Sequence, residues 1–272
     1  MKPSVAIIGV GSMGEMFASG LLRAGWDAGY LTLCVRRQER AKELDERLGV
    51  SPLLDVAAAV ADCEVIVVAV KPRDVADLLA AVGDSISPAQ VVVSLAAGIP
   101  IATYEAALDE VPIVRAMPNT PAAVDEAITA YCAGSFVDST AMEKAETVLS
   151  AVGQIIRLGE QHLDAVTAVS GTGPAYAFLL AEALIEAALR EGLPHHAAEQ
   201  LVAQTMRGAG ILMRESASSP AALRAQVTSP GGTTAAAMHV LDGGGFRSLV
   251  EDAIRAAAAR SRELGTPQDA DL

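Results

Sequence analysis

Lysine is scarce and one-sided. The 272-residue chain carries four, Lys2, Lys42, Lys71 and Lys144, and none beyond. Chemistry that needs a lysine as acid or base therefore cannot draw it from the part of the chain after residue 160. Aromatic residues make up 3%, so the core must be assembled from Ala, Val, Leu and Ile, for which the 51% hydrophobic content is ample. Basic residues are outnumbered, and a net charge of −13 excludes nucleic acid and anionic membrane as partners, because both require a basic face. The three cysteines, Cys34, Cys63 and Cys132, are odd in number, far apart and set in apolar runs. They read as reduced core thiols of a cytoplasmic protein, not as a disulfide framework or metal site. His162, His195, His196 and His239 do not combine with carboxylates at metal-ligand spacing, so no metal is expected. The start "MKPSVAIIGVG" lacks a signal-length apolar region and a cleavage motif. No uncharged apolar run approaches the ~18 residues that cross a bilayer. What remains is a small-molecule partner.

What is present divides into two parts. Up to about residue 158, short β-rich runs alternate with helical ones: "SVAIIG", "YLTLCV", "EVIVVAV", "QVVVSLA", "PIVRAM", "AITAYC" and "QIIRL" are strand candidates. Several are continuously apolar, as in strands buried on both faces of a parallel sheet. Between them lie "MGEMFASGLLRAG", "RAKELDERLG", "RDVADLLAAVG" and "AMEKAETVLSAVG", of helical length and mostly ended by glycine. Alternation of this kind predicts an α/β fold with a doubly wound sheet. After "RLGEQHLD" the strands stop and long Ala-rich helical runs follow. The expected domains are 1–160, a Rossmann-type nucleotide-binding domain, and 161–272, an all-helical one.

The first strand leads into "GVGSMG", which sets Gly9, Gly11 and Gly14 at G-x-G-x-x-G spacing before an amphipathic helix. Gly9 permits a tight turn, Gly11 lets the backbone approach a pyrophosphate, and Gly14 allows the helix to pack closely on the strand. The phosphate would sit on the helix N-terminus, where free N–H groups and the dipole attract it. A glycine-rich turn without a ligand would share the spacing, but not the strand and helix around it. An NAD site wants a carboxylate at the end of the second strand. Here "LTLCV" runs into Arg36 and Arg37, whose guanidiniums suit a 2′-phosphate, so NADPH is the expected cofactor and NADH the alternative. A solvated basic turn is the plainer alternative. The third strand ends in Ala69, Val70, Lys71 and Pro72, the fourth in "SLAAG", with Ala96, Ala97 and Gly98. Both ends should border the cofactor crevice.

Two further loops stand out. "MPNTP", Met117 to Pro121, is stiffened by two prolines; Met117 and Asn119 are expected to shape the nicotinamide wall. "SPGGTT", Ser229 to Thr234, opens a helix with more hydroxyls than one cap requires. Gly231 and Gly232 free backbone N–H groups, while Ser229, Thr233 and Thr234 add hydroxyls that donate or accept. Such a loop suits a small carboxylate whose neighbouring atom needs a hydrogen-bond donor, although an ornate helix cap would look the same.

Together "GVGSMG", "AVKP", "SLAAGI", "VRAMPNTPA", "SGTGPAYAF", "VTSPGGTT" and "LDGGGFRSLVEDAIRAAAARSREL" make the chain resemble the pyrroline-5-carboxylate reductase family over nearly its whole length. "MPNTP" with "SPGGTT" carries most of that specificity. The resemblance implies a Rossmann domain followed by a helical domain that intertwines with a second copy, giving a homodimer that could assemble further. It implies hydride transfer from NAD(P)H to the C=N bond of 1-pyrroline-5-carboxylate, the last step of proline biosynthesis. Ile8, Gly9, Val10, Gly11, Ser12 and Met13, the start of "RRQ", Ala69 to Pro72 and Ala96 to Gly98 would carry the cofactor. Ser229, Thr233 and Thr234 would meet the substrate, with Thr234 as the candidate catalytic donor. Two positions depart from the family: Ala225 stands where relatives often carry Asp, and Leu54 stands about where relatives often place a ribose-contacting Asn. β-Hydroxyacid dehydrogenases share the layout but use a lysine in the helical domain, which has none here. Deazaflavin-dependent NADP reductases share the first fingerprint without reason to keep "SPGGTT". A non-catalytic NADP-binding sensor is the third reading. Glu182, Glu186 and Arg190 fall at i, i+4, i+8 and read as a solvated or interface stripe on an otherwise apolar helix.

Overall fold

The computed structural model describes residues 2–265. All seven strand candidates form one sheet: β1 Val5–Ile8, β2 Leu31–Cys34, β3 Val65–Val68, β4 Val91–Ser94, β5 Ile113–Met117, β6 Ala127–Ala133 and β7 Gly153–Arg157. Their order is β2-β1-β3-β4-β5-β6-β7. The chain steps from β1 outward to β2, then returns past β1 to β3, so the direction of winding reverses between β1 and β3. Ligands of doubly wound sheets bind at the strand carboxyl ends beside such a reversal.

The strands are parallel apart from the β5–β6 pair, which is antiparallel. A parallel return needs a crossover of a dozen or more residues. Residues 118–126 offer only a 3₁₀ turn, Thr120–Val124, so the chain folds straight back.

Every residue of β1, β3 and β4 is buried, and the two faces alternate. Val5, Ile7, Val65 and Val67 face one apolar layer with Phe17, Leu21, Leu44 and Leu149. Ala6, Ile8, Ile66 and Val68 face the other, with Leu79, Tyr104, Leu108 and Leu163. The helices supplying these side chains include α1 Ser12–Arg23, α2 Gln38–Leu48, α4 Val75–Val82 and α6 Ser139–Leu149, as the periodicity predicts. Two more, α3 Val56–Val60 and α5 Ile101–Glu105, are too short for a periodic signal. The first is marked instead by its cap: Asp55 accepts from the Ala57 and Ala58 N–H groups at 2.9 and 3.3 Å.

After the sheet come α7 Leu163–Val166, a π-turn at Thr167–Gly171, α8 Gly173–Arg190, α9 His195–Glu215, α10 Pro220–Gln226, α11 Thr233–Gly243 and α12 Phe246–Leu264. The chain forms two compact units: the described residues up to Thr172 together with those from Ala256 onward, and Gly173–Arg255. The sheet ends near residue 158, but Leu163 and Ala168 are fully buried, Leu163 within the second apolar layer, which draws residues 161–172 into the first unit.

The helical unit is poorly covered. Expected to be buried around most of its circumference, α8 has no buried residue in the single chain. Phe178 and Leu179 are 64% and 66% exposed, and Leu180 and Leu184 exceed 40%. By length and composition alone the helical stretch Glu160–Arg190 is long and apolar enough to cross a bilayer, although isolated charges interrupt it. The polar stripe forms as spaced, with Arg190 pairing to Glu186 at 3.3 Å in solvent.

Candidate active site

The turn between β1 and α1 is shaped for close approach. Gly9 takes a positive φ of 86°, its N–H donates to the Cys34 carbonyl at 3.0 Å, and its carbonyl accepts from Gly11 N–H at 2.8 Å. A Cβ on Gly9 would lie 2.6 Å from the Val70 side chain; one on Gly14 would lie 2.7 Å from the Gly9 carbonyl and 3.4 Å from Ala69. Ends of β1 and β3 therefore touch only because these positions are glycine. Gly11 faces open space, with nothing within 4 Å of its Cβ position. It is also the N-cap of α1, and no side chain caps that helix. The first-turn N–H groups, which have no intrahelical acceptor, point into that space. An anionic pyrophosphate fits this cradle. Ile8 and Val10 are buried and can contribute only backbone, while Ser12 is exposed and Met13 half-buried.

The arginines that follow β2 divide in function. Arg36 is 80% exposed, and its Nη2 donates to Asp74 Oδ2 at 2.7 Å. Arg37 precedes α2, is exposed, and makes no ion pair among the described residues. Arg40, which the sequence reading passed over, turns inward: its Nε donates to the Val10 carbonyl at 3.2 Å and Nη1 to Glu43 at 3.0 Å. It also pairs with Glu15, which in turn holds Arg47. Hydrogen bonds to Glu43 and Glu15 raise the Arg40 pKa further. Arg40 thus braces the phosphate loop against α2, and the third arginine of "RRQER" was its only signal. Leu54 lies half exposed beside the end of β2, where Leu53 extends the ladder through the Leu33 carbonyl and the Val35 N–H.

At the carboxyl end of β3, Ala69 and Val70 press on the glycine loop, and the exposed Lys71 precedes a 3₁₀ turn, Pro72–Asp74. After β4, Ala96 and Gly98 are buried and Ala97 half-buried. Gly98 has φ 79°, and a Cβ there would lie 2.8 Å from the Ser261 carbonyl, so the end of α12 rests directly on this loop. Beneath it lies a polar network that the sequence did not reveal, because Arg115 looks like an interruption in an apolar strand. Arg115, with 8% of its side chain exposed, donates to Glu160 at 3.0 Å and lies 3.9 Å from Asp164. Glu160 also accepts from the Ile101 N–H at 2.8 Å, and Asp164 from Ser261 at 2.7 Å. Ser94 and Tyr104 share a buried hydrogen bond of 2.6 Å, and burial pushes the Tyr104 phenol up to about 12.

Asn119 has a structural task. Its Nδ2 donates to the Ser170 carbonyl at 3.2 Å and its Oδ1 accepts from Ile128 N–H at 3.1 Å, tying the "MPNTP" turn to the π-turn. Met117 fills the space left by Gly171, where a Cβ would meet its Cε at 2.5 Å.

The loop Ser229–Thr234 belongs to the helical unit. Gly231 has φ 70°, the Gly232 N–H donates to the Ser229 carbonyl at 3.1 Å, and a Cβ on Gly232 would collide with Ser229 Oγ. The N-cap of α11 is Gly232, without any side-chain cap. Thr233 and Thr234 are its first two residues. By contrast α10 is capped in the ordinary way, Ser219 accepting from Ala222 N–H at 3.2 Å. Among the described residues the hydroxyls of Ser229, Thr233 and Thr234 have no hydrogen-bond partner. The ornate-cap alternative therefore fails: three hydroxyls surround a helix N-terminus and cap nothing. Ala225, on α10, and His239, on α11, are both exposed. Among the described residues no group of three or more His, Cys, Asp or Glu is placed to hold a metal ion.

A doubly wound sheet with an open glycine cradle at its winding reversal places the first unit in the Rossmann dinucleotide-binding class. A family model described as NADP oxidoreductase, coenzyme F420-dependent, matches residues 4–98, and one described as pyrroline-5-carboxylate reductase dimerisation matches residues 160–264. A pyrroline-5-carboxylate reductase of Corynebacterium melassecola is 40% identical, covering 96% of this chain and 98% of its own. Another, from Mycobacterium tuberculosis, is 42% identical with 96% of each covered. The chain belongs to the pyrroline-5-carboxylate reductase family. Among solved structures, a Coxiella burnetii pyrroline-5-carboxylate reductase superposes with a TM-score of 0.90 at 36% identity, covering 98% and 100% of the two chains. The Plasmodium falciparum pyrroline carboxylate reductase with NADP bound gives 0.88 at 28%, covering 97% and 98%.

Proposed function

We propose that this protein reduces the C=N bond of 1-pyrroline-5-carboxylate to L-proline with NADPH, as a homodimer. The carrying observation is the uncapped N-terminus of α11, beside which the hydroxyls of Ser229, Thr233 and Thr234 have no hydrogen-bond partner among the described residues. A capped helix would have consumed at least one. The NADP bound to the Plasmodium falciparum relative and the glycine cradle support the cofactor.

When bound, the nicotinamide supplies a hydride to C5 of the ring. The chain supplies position and charge. Helix α1 and the Gly9–Gly14 turn hold the pyrophosphate, Arg36 and Arg37 the 2′-phosphate, and the turn Ser229–Thr233 the substrate carboxylate. Hydride addition to the iminium, whose nitrogen has already taken its proton from solvent, gives the neutral amine and develops no oxyanion, so a strong acid is unnecessary. A hydroxyl donor at the ring nitrogen suffices, and Thr234 is that donor. No lysine is needed in the helical unit, consistent with its having none.

The same family match and the exposed apolar surface of α8 support the dimer. A stable monomer rarely exposes contiguous apolar patches of this kind. The decisive experiment follows NADPH absorbance with and without racemic 1-pyrroline-5-carboxylate. Oxidation that depends on the imine is expected. Its absence, with NADP turnover by a reduced deazaflavin instead, would move the protein to the other enzyme class matched by residues 4–98.

A further inference from the structure

We infer that Asp74 sets the balance between NADPH and NADH, as a built-in competitor for the arginine that receives the 2′-phosphate. The inference rests on the cofactor site proposed above. β2 and β3 lie on opposite sides of β1. Arg36 follows β2 and Asp74 lies on the turn after β3, so their 2.7 Å ion pair links the two turns that flank the carboxyl end of β1. The two partners are unequal. Arg36 is 80% exposed and free to swing, whereas 21% of the Asp74 side chain is exposed. Asp74 also sits on a proline-led turn, its N–H donating to the Lys71 carbonyl at 2.9 Å and its neighbour Val75 buried. Arg73 is the other cation near it, 4.0 Å away and exposed.

Two consequences follow for two cofactors. A 2′-phosphate arriving at Arg36 must share the guanidinium with the Asp74 carboxylate or displace it, and in either case lies close to a fixed negative charge. A ribose without that phosphate meets no such conflict, and its 2′-hydroxyl can donate to Asp74. A Rossmann site for NAD ordinarily finds that carboxylate at the end of β2. Here β2 ends in arginines, and the next turn across the crevice brings the missing carboxylate back. Asp74 therefore weakens NADPH and supports NADH.

The test is direct binding, read by nicotinamide fluorescence, of NADPH and NADH to the full-length wild type, Asp74→Asn and Asp77→Asn. Asp77 is an exposed acid in the first turn of α4 and controls for net charge. Removing one like charge a few ångströms from a solvated phosphate is worth roughly fivefold in Kd. Asp74→Asn should tighten NADPH about that much and weaken NADH by a similar factor, as one ordinary hydrogen bond is lost. Asp77→Asn should change neither ratio. Equal shifts of both cofactors in Asp74→Asn, or none, would overturn the inference while leaving the cofactor site intact. A wild type that binds neither dinucleotide would overturn the site and the inference with it.

Discussion

Replacing Thr234 by valine separates a hydroxyl that serves chemistry from one that serves the helix. The substitution keeps the β-branched shape at the second position of α11 and deletes one O–H. That O–H has no partner among the described residues, and the N-cap beside it is Gly232. A true cap hydroxyl contributes about 1 kcal/mol, and its removal would lower the melting temperature of a chain this size by roughly 2–4 °C. Because nothing in the fold depends on this hydroxyl, the melting temperature should instead stay unchanged. Catalysis should not. A hydrogen bond to the reacting nitrogen is worth about 1–3 kcal/mol, which lowers kcat/KM by roughly 5- to 150-fold. Steady-state kinetics with the imine, run beside thermal melts, give both numbers. Thr234→Ser, which restores the donor, should recover most of the loss. Wild-type kcat/KM in the valine variant, or a fall in melting temperature with activity intact, would refute the assignment and return Thr234 to a helix-end role.

Replacing Arg36 and Arg37 together by alanine should raise the KM for NADPH far more than that for NADH; equal effects would remove the 2′-phosphate from these residues. Leu180→Arg or Leu184→Arg, each on the exposed apolar surface of α8, should give aggregated or unfolded protein, and the wild-type melting temperature should rise with protein concentration. A soluble, active monomer by light scattering would refute the dimer. Burial pushes the thiols of Cys34, Cys63 and Cys132 up to about 11, so folding favours their neutral forms. That contribution is complete below the ordinary thiol pKa of about 8.5 and is lost as pH climbs towards 11. Stability should therefore decline across that alkaline window. Ellman's reagent near neutral pH should label none of the three until the protein unfolds; rapid labelling of the native protein would contradict their burial.

Much of this molecule is local, and local features are legible. The seven strands announce themselves because continuous Val and Ile runs suit a sheet covered on both faces. The turn at Gly9 to Gly14 is legible because three glycines answer three separate demands, two visible as near-contacts at Gly9 and Gly14 and the third as the open space beside Gly11. Arg36 and Arg37 mark a departure from the carboxylate that an NAD site would place there. The excess hydroxyls of "SPGGTT" could be counted, but whether they cap α11 could not, because the same letters fit a cap and a binding loop. Backbone geometry answers the capping half of that question, with Gly232 at the N-cap and no side-chain cap. Other features depend on residues distant in sequence. The reversal of β6 followed from a connection too short to cross over, and Asn119 became a brace once Ser170 and Ile128 came within reach. Arg115 gained its meaning only beside Glu160 and Asp164, and Asp74 only when sheet order set β2 and β3 on either side of β1. Composition and periodicity define which residues are buried or turned. Which charges meet depends on chain segments brought together by the sheet, and pairwise distance is a property no single segment carries.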